Sequence, residues 1–422
     1  MNKHQNEAVD DVRMRGFARR DTVDAALTWL DGQIRPLEAE LVPLSAAAGR
    51  VLADAVTSDV NVPGFDRATM DGYGVVAGST DGATAYNSLS LDLIGESLPG
   101  RPFQGTVGPG QAVRIMTGAP IPRGCDAVLL AEFAEPSTGS GQERGLTLVR
   151  ALAGVPPGKN VGRRGEDVAR GTVLLQSGRV LRPQDLGVLS SVGVGHPRVF
   201  RRPRVRLVVT GNELLPAGSR PEGTRIVDAN GPMLAALVKR DGGLVDFPGL
   251  IDDEPGAILS ALRSDADVVI VSGGSSVGIE DHAPMLLAAH GELAIHGIAM
   301  RPSSPTGMGR LDQRLVLLLP GNPVSCLCAY DFFAGRAIRG LGGRGRTWPY
   351  RSVRAPLARK LTSQIGRLDY ARVQLVDGRV EPLAIGGASI LSSTTRADGF
   401  VIVPADSEGS APGTEVEIWL YA

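Results

Sequence analysis

A loop of glycines and serines directly follows a short apolar run in this sequence. Residues 268–271 are Val-Val-Ile-Val, and the loop that follows combines glycines with serines: Ser272, Gly273, Gly274, Ser275, Ser276 and Gly278. Glycines let backbone N–H groups approach a ligand, and serine hydroxyls add further donors, so the loop can bind an oxyanion. As a phosphate motif it is incomplete, because it has neither the Lys of GxxxxGK[ST] nor the spacing of GxGxxG.

Two acids, Glu280 and Asp281, end this loop ahead of an apolar helical run. Asp281 has two interpretations. Its position favours a helix N-cap, which is the commoner role of such an aspartate. An acid beside an anion site is also how proteins hold magnesium, so a metal-binding role stays open.

From residue 203 the pattern predicts strands and helices in alternation. The predicted strands are 205–210, 243–251, 267–271, 293–300 and 315–319, and the predicted helices are 231–240, 255–264, 282–289 and 323–341. Alternation of this kind indicates a mostly parallel sheet with helices on both faces, which binds ligands beyond the carboxyl ends of its strands.

Three of these strands end in small, polar, turn-prone residues. The segments are 210–213 (Thr-Gly-Asn-Glu), 272–275 (Ser-Gly-Gly-Ser) and 320–323 (Pro-Gly-Asn-Pro). Because strand ends of a parallel sheet share one edge, they predict a single composite anion pocket. The alternative is three ordinary strand-to-helix turns, since Asn322-Pro323 is a common Ncap and N1 pair.

The elements that surround this region are of other kinds. Residues 21–34 predict an amphipathic helix with Asp21 or Thr22 as its cap, ending before Pro36. Between 37 and 202, short alternating runs predict a mainly β half with strands at 73–77, 89–94, 112–116 and 127–130 and a flexible surface loop at 136–145. After 346 the signals are again β, with a hairpin about Asp377-Gly378 in a small barrel or sandwich.

Composition narrows the classes of function. The 422 residues suffice for two to four domains, and a formal net charge of −1 provides no basic surface for nucleic acid. No apolar run approaches the ~20 residues of a membrane span, and the polar first twenty residues resemble a disordered tail rather than a signal peptide. A cytoplasmic location is therefore expected. Cys125, Cys326 and Cys328 are expected to be reduced core residues.

Several separated blocks, taken together, are highly specific. They are Ala48 to Ala53 (AGRVLA), Pro63 to Asp66 (PGFD), Met70 to Tyr73 (MDGY), Arg114 to Pro120 (RIMTGAP), Arg164 to Asp167 (RGED), Thr210 to Leu214 (TGNEL), Ser272 to Asp281, and Leu319 to Ser325 (LPGNPVS). In this order they resemble the molybdopterin molybdenumtransferase family, which includes bacterial MoeA proteins and the E domain of gephyrin. The resemblance covers about residues 21–422.

The resemblance implies an α/β multidomain fold of four parts. A doubly wound molybdopterin-binding α/β domain would span 203–345 and a β-rich lobe 59–171. An elongated linking domain would combine 21–58 with 172–202, and a C-terminal β-barrel would span 346–422, with 1–20 as the tail. Family members are homodimers whose cleft lies between the lobe of one subunit and the α/β domain of the other.

The implied reaction inserts molybdate into adenylylated molybdopterin and releases AMP, with Mg²⁺ present and molybdopterin adenylyltransferase as a further partner. Asp71, Glu213 and Asp281 match the family's acidic functional positions and would hold the metal, with Asp167 as a further catalytic candidate. The cofactor-binding positions would be Thr117, Gly273, Gly274, Ser275, Ser276, Arg301, Ser304, Pro320, Gly321, Asn322, Ser325 and Arg372. Four of the residues named also have a purely structural interpretation. Asp71 would be a turn acid, Glu213 a solvated loop acid, Thr117 part of an ST-turn and Arg372 an exposed strand residue.

One block departs from the family pattern. The family's Lys-Pro-Gly-Lys-Pro is Arg301-Pro302-Ser303-Ser304-Pro305 here, so that Ser304 replaces the second lysine. A charge lost within about 4 Å of an oxyanion costs about 1–4 kcal/mol at intermediate dielectric. Gephyrin also lacks this lysine. Besides an active molybdenum insertase, a non-catalytic scaffold or paralogue and a tungsten-inserting variant therefore stay open.

Overall fold

The computed structural model describes residues 20–138, 147–274, 281–384 and 386–421. Helix α1 (Val23–Gln33) opens this part of the chain, and the Thr22 hydroxyl caps it by accepting from the Ala25 N–H at 3.1 Å. Its apolar face is buried against the core of the α/β sheet described below. Arg336 fixes the helix from that core through both carboxylate oxygens of Asp31, at 2.7 and 2.6 Å.

Two separated segments pair with each other to form a linking region. Ala39–Leu41 runs antiparallel to Arg198–Phe200, and Val56–Thr57 runs antiparallel to Val173–Leu175. A 3₁₀ turn (Leu44–Ala46) and helix α2 (Pro183–Ser191) complete this region. Its small apolar core includes Leu52, Leu181 and Leu189.

The insertion between these segments forms a lobe with a six-stranded sheet. Its strands are β1 (Gly72–Val75), β2 (Leu89–Ser97), β3 (Gln111–Ile115), β4 (Ala127–Leu130), β5 (Ala134–Thr138) and β6 (Thr147–Ala151), in the order β4-β1-β3-β2-β6-β5. Arg67–Ala68 pairs separately with Val161–Gly162, and short 3₁₀ turns lie at Ala77–Thr80 and Ala131–Phe133. The predicted loop 136–145 was wrong for 136–138, which belong to β5; residues 139–145 lie outside the described part.

The second half contains the predicted α/β sheet. Its strands are β7 (Arg204–Thr210), β8 (Leu244–Asp246), β9 (Leu250–Ile251), β10 (Val268–Ser272) and β11 (Glu292–His296); the short β12 (Met300–Arg301) belongs to another sheet, and β13 (Gly307–Leu311) and β14 (Arg314–Leu319) complete this one. The order is β8-β7-β10-β14-β13-β11, with β9 also on β7. Strands β7, β10 and β14 are parallel.

Helices cover both faces of this sheet, as the alternation predicted. They are α3 (Asn230–Arg240), α4 (Pro255–Leu262), α5 (His282–His290), α6 (Pro323–Ala329) and α7 (Gly335–Leu341), with a π-helical turn at Tyr330–Ala334 between the last two. Apolar cores lie on either side of the central strands, whose Val, Ile and Leu side chains are buried on both faces. The described residues also include a small parallel pair, Leu214–Leu215 with Ile226–Val227.

Two predicted strands are divided. The run 243–251 breaks between β8 and β9 because Pro248 has no N–H for the ladder. The run 293–300 ends at His296, and β12 then pairs in parallel with a strand of the C-terminal sheet. The pairing of β12 therefore connects the α/β sheet to the C-terminal sheet.

The C-terminal strands close into a barrel, in agreement with the expected fold class. They are β15 (Arg351–Pro356), β16 (Leu368–Val376), β17 (Arg379–Ala384), β18 (Gly399–Val403) and β19 (Glu415–Leu420), paired as β17-β16-β18-β19-β15. The Ala358 N–H donates to the Val380 carbonyl at 2.9 Å and returns the chain from β15 to β17. Asp377 and Gly378, with φ of 48° and 72°, form the predicted hairpin turn. Leu361–Thr362 pairs with Gly409–Ser410, and α8 spans Ser392–Arg396.

The described residues include no helix that is long and apolar enough to cross a membrane. All three cysteines are free, and Cys326 and Cys328 are buried, as expected of core residues. We propose the division at 58, 171, 202 and 345 as the domain organisation.

Candidate functional site

Three strand ends of the α/β sheet meet in one place. Gly273, with φ of 98°, lies so close to the end of β7 that an added Cβ would be 2.2 Å from the Thr210 carbonyl oxygen. A Cβ on Gly321, after β14, would be 3.6 Å from the Gly273 Cα. Only glycine fits this approach at Gly273 without strain, so the loops after β7, β10 and β14 form one continuous surface.

A buried asparagine that the sequence analysis missed joins two of these ends. The Asn230 side-chain nitrogen, at the start of α3, donates to the Ser272 hydroxyl at 2.9 Å and to the Gly321 carbonyl at 2.7 Å. The Thr210 hydroxyl is buried beside them without a hydrogen-bond partner among the described residues. Asn230 therefore fixes the spacing of the loops, and the only sequence signal for it was a polar residue opening a helix.

The structure describes only some of the remaining predicted residues of these loops. Ser275 and Ser276 lie outside the described residues, as does Glu280. Asp281 is the N-cap residue of α5 by position, yet its side chain makes no capping hydrogen bond. Glu213 is exposed on the loop after β7. Gly274 also has a positive φ, 55°, which keeps the loop against Thr210.

A cleft of about 710 Å³ lies beside these loops, between the α/β sheet and the barrel. Among the predicted residues, it is lined by Arg301, Ser304, Pro320, Asn322 and Ser325. The barrel contributes residues 364–367 and 386–388 to the opposite wall. The Asn322 side chain does not cap α6 but accepts from the Ser389 hydroxyl at 2.8 Å, which ties the two walls together.

Arg301 is neutralised inside this cleft. Its guanidinium bonds both carboxylate oxygens of the fully buried Asp369, with Nε at 3.0 Å from Oδ1. The Ser363 hydroxyl donates to the same carboxylate at 2.6 Å, and Arg367 lies 3.7 Å from it. Arg301 is therefore held in one orientation, with its charge balanced by Asp369, a residue that the sequence analysis did not identify.

The hydroxyl of Ser304 is buried without a hydrogen-bond partner among the described residues. Its neighbour Ser303 has a φ of 95°, which is unfavourable for a residue with a Cβ. The Ser303 hydroxyl holds this conformation by donating to the Ser325 carbonyl at 2.6 Å. Ser304 thus contributes an unsatisfied buried donor to the residues that line the cleft, at the position where the resemblance implies a lysine.

Arg372 is fully buried, so the alternative of an exposed strand residue was wrong. Its side chain bonds the carbonyl of Gly386, a residue of the cleft wall, while Nε and Nη1 have no partner among the described residues. Burial lowers the pKa of its guanidinium. Arg372 therefore brings positive charge behind the cleft wall.

Asp71 and Thr117 form a second unit, on the lobe. The Thr117 N–H and hydroxyl both donate to Asp71 Oδ1, at 2.7 and 2.8 Å. These two bonds hold the pKa of the exposed Asp71 carboxyl below its usual range, the N–H having the larger effect. Asp71 is thus an oriented, ionised acid at the surface of the lobe.

Asp167 lies on a different loop pair of the lobe. The Arg164 N–H donates to Asp66 at 2.8 Å and the Asp167 N–H to the Val62 carbonyl at 3.1 Å, while the Asp167 side chain is exposed. Within the described ranges, no three His, Cys, Asp or Glu side chains come close enough to share a metal. A single chain therefore does not bring Asp71, Glu213 and Asp281 together.

Fold and site define a multidomain α/β protein with three strand-end loops in contact, a barrel-lined cleft and a separate acid-bearing lobe. Three families of known proteins match successive parts of the chain. The families described as MoeA N-terminal region (domain I and II), probable molybdopterin binding domain, and MoeA C-terminal region (domain IV) match residues 21–193, 206–339 and 354–421.

Individual relatives match over nearly their full length. Molybdopterin molybdenumtransferase 2 of Mycobacterium tuberculosis is 34% identical, covering 90% of this chain and 94% of the relative. Molybdopterin molybdenumtransferase of Haemophilus influenzae is 32% identical, with 94% and 98% covered. The crystal structure of a molybdopterin biosynthesis MoeA protein from Pyrococcus horikoshii has a TM-score of 0.81 at 31% identity, with 96% and 100% covered. The chain belongs to the molybdopterin molybdenumtransferase family.

Proposed function

We propose that the chain inserts molybdate into adenylylated molybdopterin and releases AMP. As a member of this family it is a transferase of molybdenum cofactor biosynthesis. The observation that carries the proposal is the contact of the three strand-end loops beside the cleft, because it combines backbone donors for a phosphate with a site for an oxyanion.

The proposed roles follow from where each group lies. The glycines of the strand-end loops would bind the phosphates of the pterin substrate, with Asn230 keeping the loops in register. Molybdate would bind in the cleft, where Ser304 offers an unpaired hydroxyl and Arg372 lies behind the wall. Asp167 is proposed only as a further acid of the lobe.

Magnesium fits the acids that are available. Asp71, Glu213 and Asp281 would supply carboxylate oxygens, the ligands that Mg²⁺ prefers, and the bound ion would neutralise phosphate charge. Thr117 favours this role by keeping the Asp71 carboxyl ionised and oriented. Molybdopterin adenylyltransferase is proposed as the partner that supplies the adenylylated substrate.

We propose a homodimer in which the lobe of one subunit completes the cleft of the other. The argument is that Asp71 lies on the lobe sheet, whereas the strand-end loops belong to the α/β sheet, and no three metal-binding groups cluster within the described part of one chain. A partner subunit would bring the two halves together.

The reaction is tested by AMP release from purified protein with adenylylated molybdopterin, Mg²⁺ and molybdate. Asp71→Asn should reduce the rate by about a hundredfold, by loss of a metal ligand. Asp59→Asn, which removes an exposed acid of the same lobe, is the matched control and should retain the wild-type rate. No release by the wild-type protein, or equal release by Asp71→Asn, would refute the proposal. Tungstate in place of molybdate tests the choice of metal in the same assay.

Mixing two inactive variants tests the dimer. If Asp71 and Glu213 act across the interface, an equal mixture of Asp71→Asn and Glu213→Gln subunits regains about a quarter of the wild-type activity, since half of the dimers are mixed and each has one intact site. If the site lies within one subunit, subunit exchange restores nothing.

A further inference from the structure

A small pocket at the junction between the linking region and the α/β sheet is rich in positive charge. It has a volume of about 160 Å³, and its charged lining residues are Arg50, Arg202, Lys239, Asp241 and Arg344. The linking region contributes residues 48–51, 200 and 202, and the ends of α3 and α7 contribute the rest. The proposed reaction gives this junction pocket no role, although it contains the Ala48-Gly49-Arg50 block.

Two arginines of the junction pocket, Arg202 and Arg344, are held by backbone carbonyls rather than by acids. Arg202 donates to the carbonyls of Gly242 and Gly243 at 3.0 and 2.9 Å. Arg344 donates to those of Arg240 and Gly49 at 3.1 and 2.8 Å. Among the described residues neither guanidinium has a carboxylate partner, so their charges are positioned but not balanced.

The other charged groups of the junction pocket do not correct this imbalance. The Asp241 carboxylate is fully buried and already bonded to Arg240, Arg339 and the Tyr330 hydroxyl. Lys239 is exposed, and its ammonium group makes no hydrogen bond or ion pair with the described residues. Arg50 pairs with the exposed Glu40, but its Nε is buried without a hydrogen-bond partner there.

Burial and mutual repulsion both lower the pKa of two arginines in this cluster. Burial lowers the pKa of Arg202, and the charge of Arg50 lowers it further. Burial also lowers the pKa of Arg344, against the opposing effect of Asp241, and Arg202 and Arg339 add to the lowering. Cations that repel one another around a cavity are stabilised when an anion enters it.

A second cleft lies next to the junction pocket and differs from it in how its cations are paired. It has a volume of about 510 Å³ and shares Arg50 and Arg202 with the junction pocket, but its other cations are paired. Arg201 bonds Asp267 at 2.9 and 2.8 Å, and Arg204 bonds Asp265. Arg202 is the one cation of this cleft without a carboxylate partner among the described residues, whereas the smaller pocket adds Arg344 and Lys239 to it. The smaller pocket is below the 300–1,000 Å³ of sites for whole small-molecule ligands.

We propose that the junction pocket binds a phosphate group. A tetrahedral dianion matches the planar forks of Arg202 and Arg344, which can each offer paired N–H donors to two of its oxygens. The volume admits one such group and leaves the remainder of any phosphorylated molecule outside. Residues of the linking region and of the α/β sheet's helices both line the pocket. A bound phosphate would therefore also strengthen the junction between the linking region and the α/β sheet.

The test is titration calorimetry of the full-length protein with inorganic phosphate, at ionic strength held constant with chloride. Lys239→Gln removes an exposed charge that makes no internal bond, and should weaken phosphate binding by about fivefold. Arg344→Gln should weaken it by about tenfold or more, through loss of a charged hydrogen bond. Lys360→Gln, an exposed lysine of the barrel, is the matched control and should bind as the wild type does.

A second arm identifies the source of the phosphate group. Equal binding of O-phosphoserine supports a group carried by a small molecule, and much weaker binding supports free phosphate. The absence of binding at millimolar phosphate, or unchanged binding by both Lys239→Gln and Arg344→Gln, would overturn the proposal. Asp71→Asn should bind phosphate normally, so this result stands apart from the outcome of the AMP assay.

Discussion

The buried carboxyl of Asp331 should make the stability of this protein fall as pH rises. Asp331 lies in the π-helical turn between α6 and α7 and faces the barrel. It accepts from the Tyr350 hydroxyl at 2.8 Å and the Tyr370 hydroxyl at 3.3 Å, with Arg240 at 3.4 Å. Burial nevertheless raises its pKa to about 6, since it outweighs the opposing effects of Arg240 and Tyr350.

The size of the effect follows from this shift. The pKa rises from 3.8 to about 6 on folding, which corresponds to about 3 kcal/mol. Between these values the folded state binds more protons than the unfolded state, so the free energy of unfolding decreases with pH in this range. The stabilisation is complete below the unfolded pKa and is lost as pH passes through the folded pKa. From about pH 4.5 to about pH 7.5 the expected loss is about 2 kcal/mol.

Asp331→Asn is the informative change, because asparagine resembles the protonated acid and cannot ionise. Urea unfolding at the two pH values, followed by tryptophan fluorescence, should show a smaller decrease for the variant than for the wild type by about 2 kcal/mol. Trp348 and Trp419 report on this region, since Trp348 packs against Trp419 and Phe400 with ring centroids at 5.0 and 5.2 Å.

Asp54→Asn removes an acid from an exposed pair with Arg198 and serves as the control for the loss of one charge. Taking the difference between variant and wild type at each pH cancels the other titrating groups. If Asp331→Asn and the wild type lost stability in parallel between the two pH values, the reasoning about burial would be refuted.

Three further predictions concern the site. Thr117→Val should raise the pKa of Asp71 by removing one of two bonds, and so move the acidic limb of the pH profile for AMP release upward, whereas Thr117→Ser should leave it in place. Ser304→Lys should lower the KM for molybdate by tenfold or more, since one added charge near the anion contributes about 1–4 kcal/mol; an unchanged KM would contradict it. Gly273→Ala should destabilise by about 2 kcal/mol or more and abolish AMP release, while Gly187→Ala, in the open on α2, should not destabilise in thermal melts.

The sequence predicted that the strand-end loops would meet, because the relevant signals lie in neighbouring residues. Runs of Val, Ile and Leu mark the central strands, and the small polar residues after them fall at one edge because parallel strands end together. The hairpin at Asp377-Gly378 was predicted on equally local grounds. To predict these features one needs only the pattern of apolar residues and the turn preferences of single residues. A single sequence contains both.

Contacts between distant residues could not be predicted in this way. Asn230 bonds partners 42 and 91 positions away, and Asp369 bonds Arg301 across 68 positions. Neither residue lies in a local pattern that distinguishes it from an ordinary polar residue. The division of 293–300 was missed for a similar reason, because β12 is stabilised by pairing with β16, a strand of another sheet.

The pairing of Arg301 with Asp369 changes how the departure at Ser304 should be understood. From sequence, Arg301 appeared to preserve one of two positive charges of the family's block. In the structure its charge is balanced by a buried carboxylate, so it contributes a fixed orientation to the cleft and little net charge. Positive charge at this cleft then depends on Arg20 and Arg367, which line it, and on the buried Arg372. Arg367 lies 3.7 Å from the same Asp369 carboxylate. The affinity for molybdate should therefore respond more to a charge introduced at Ser304 than to the replacement of Arg301 by lysine.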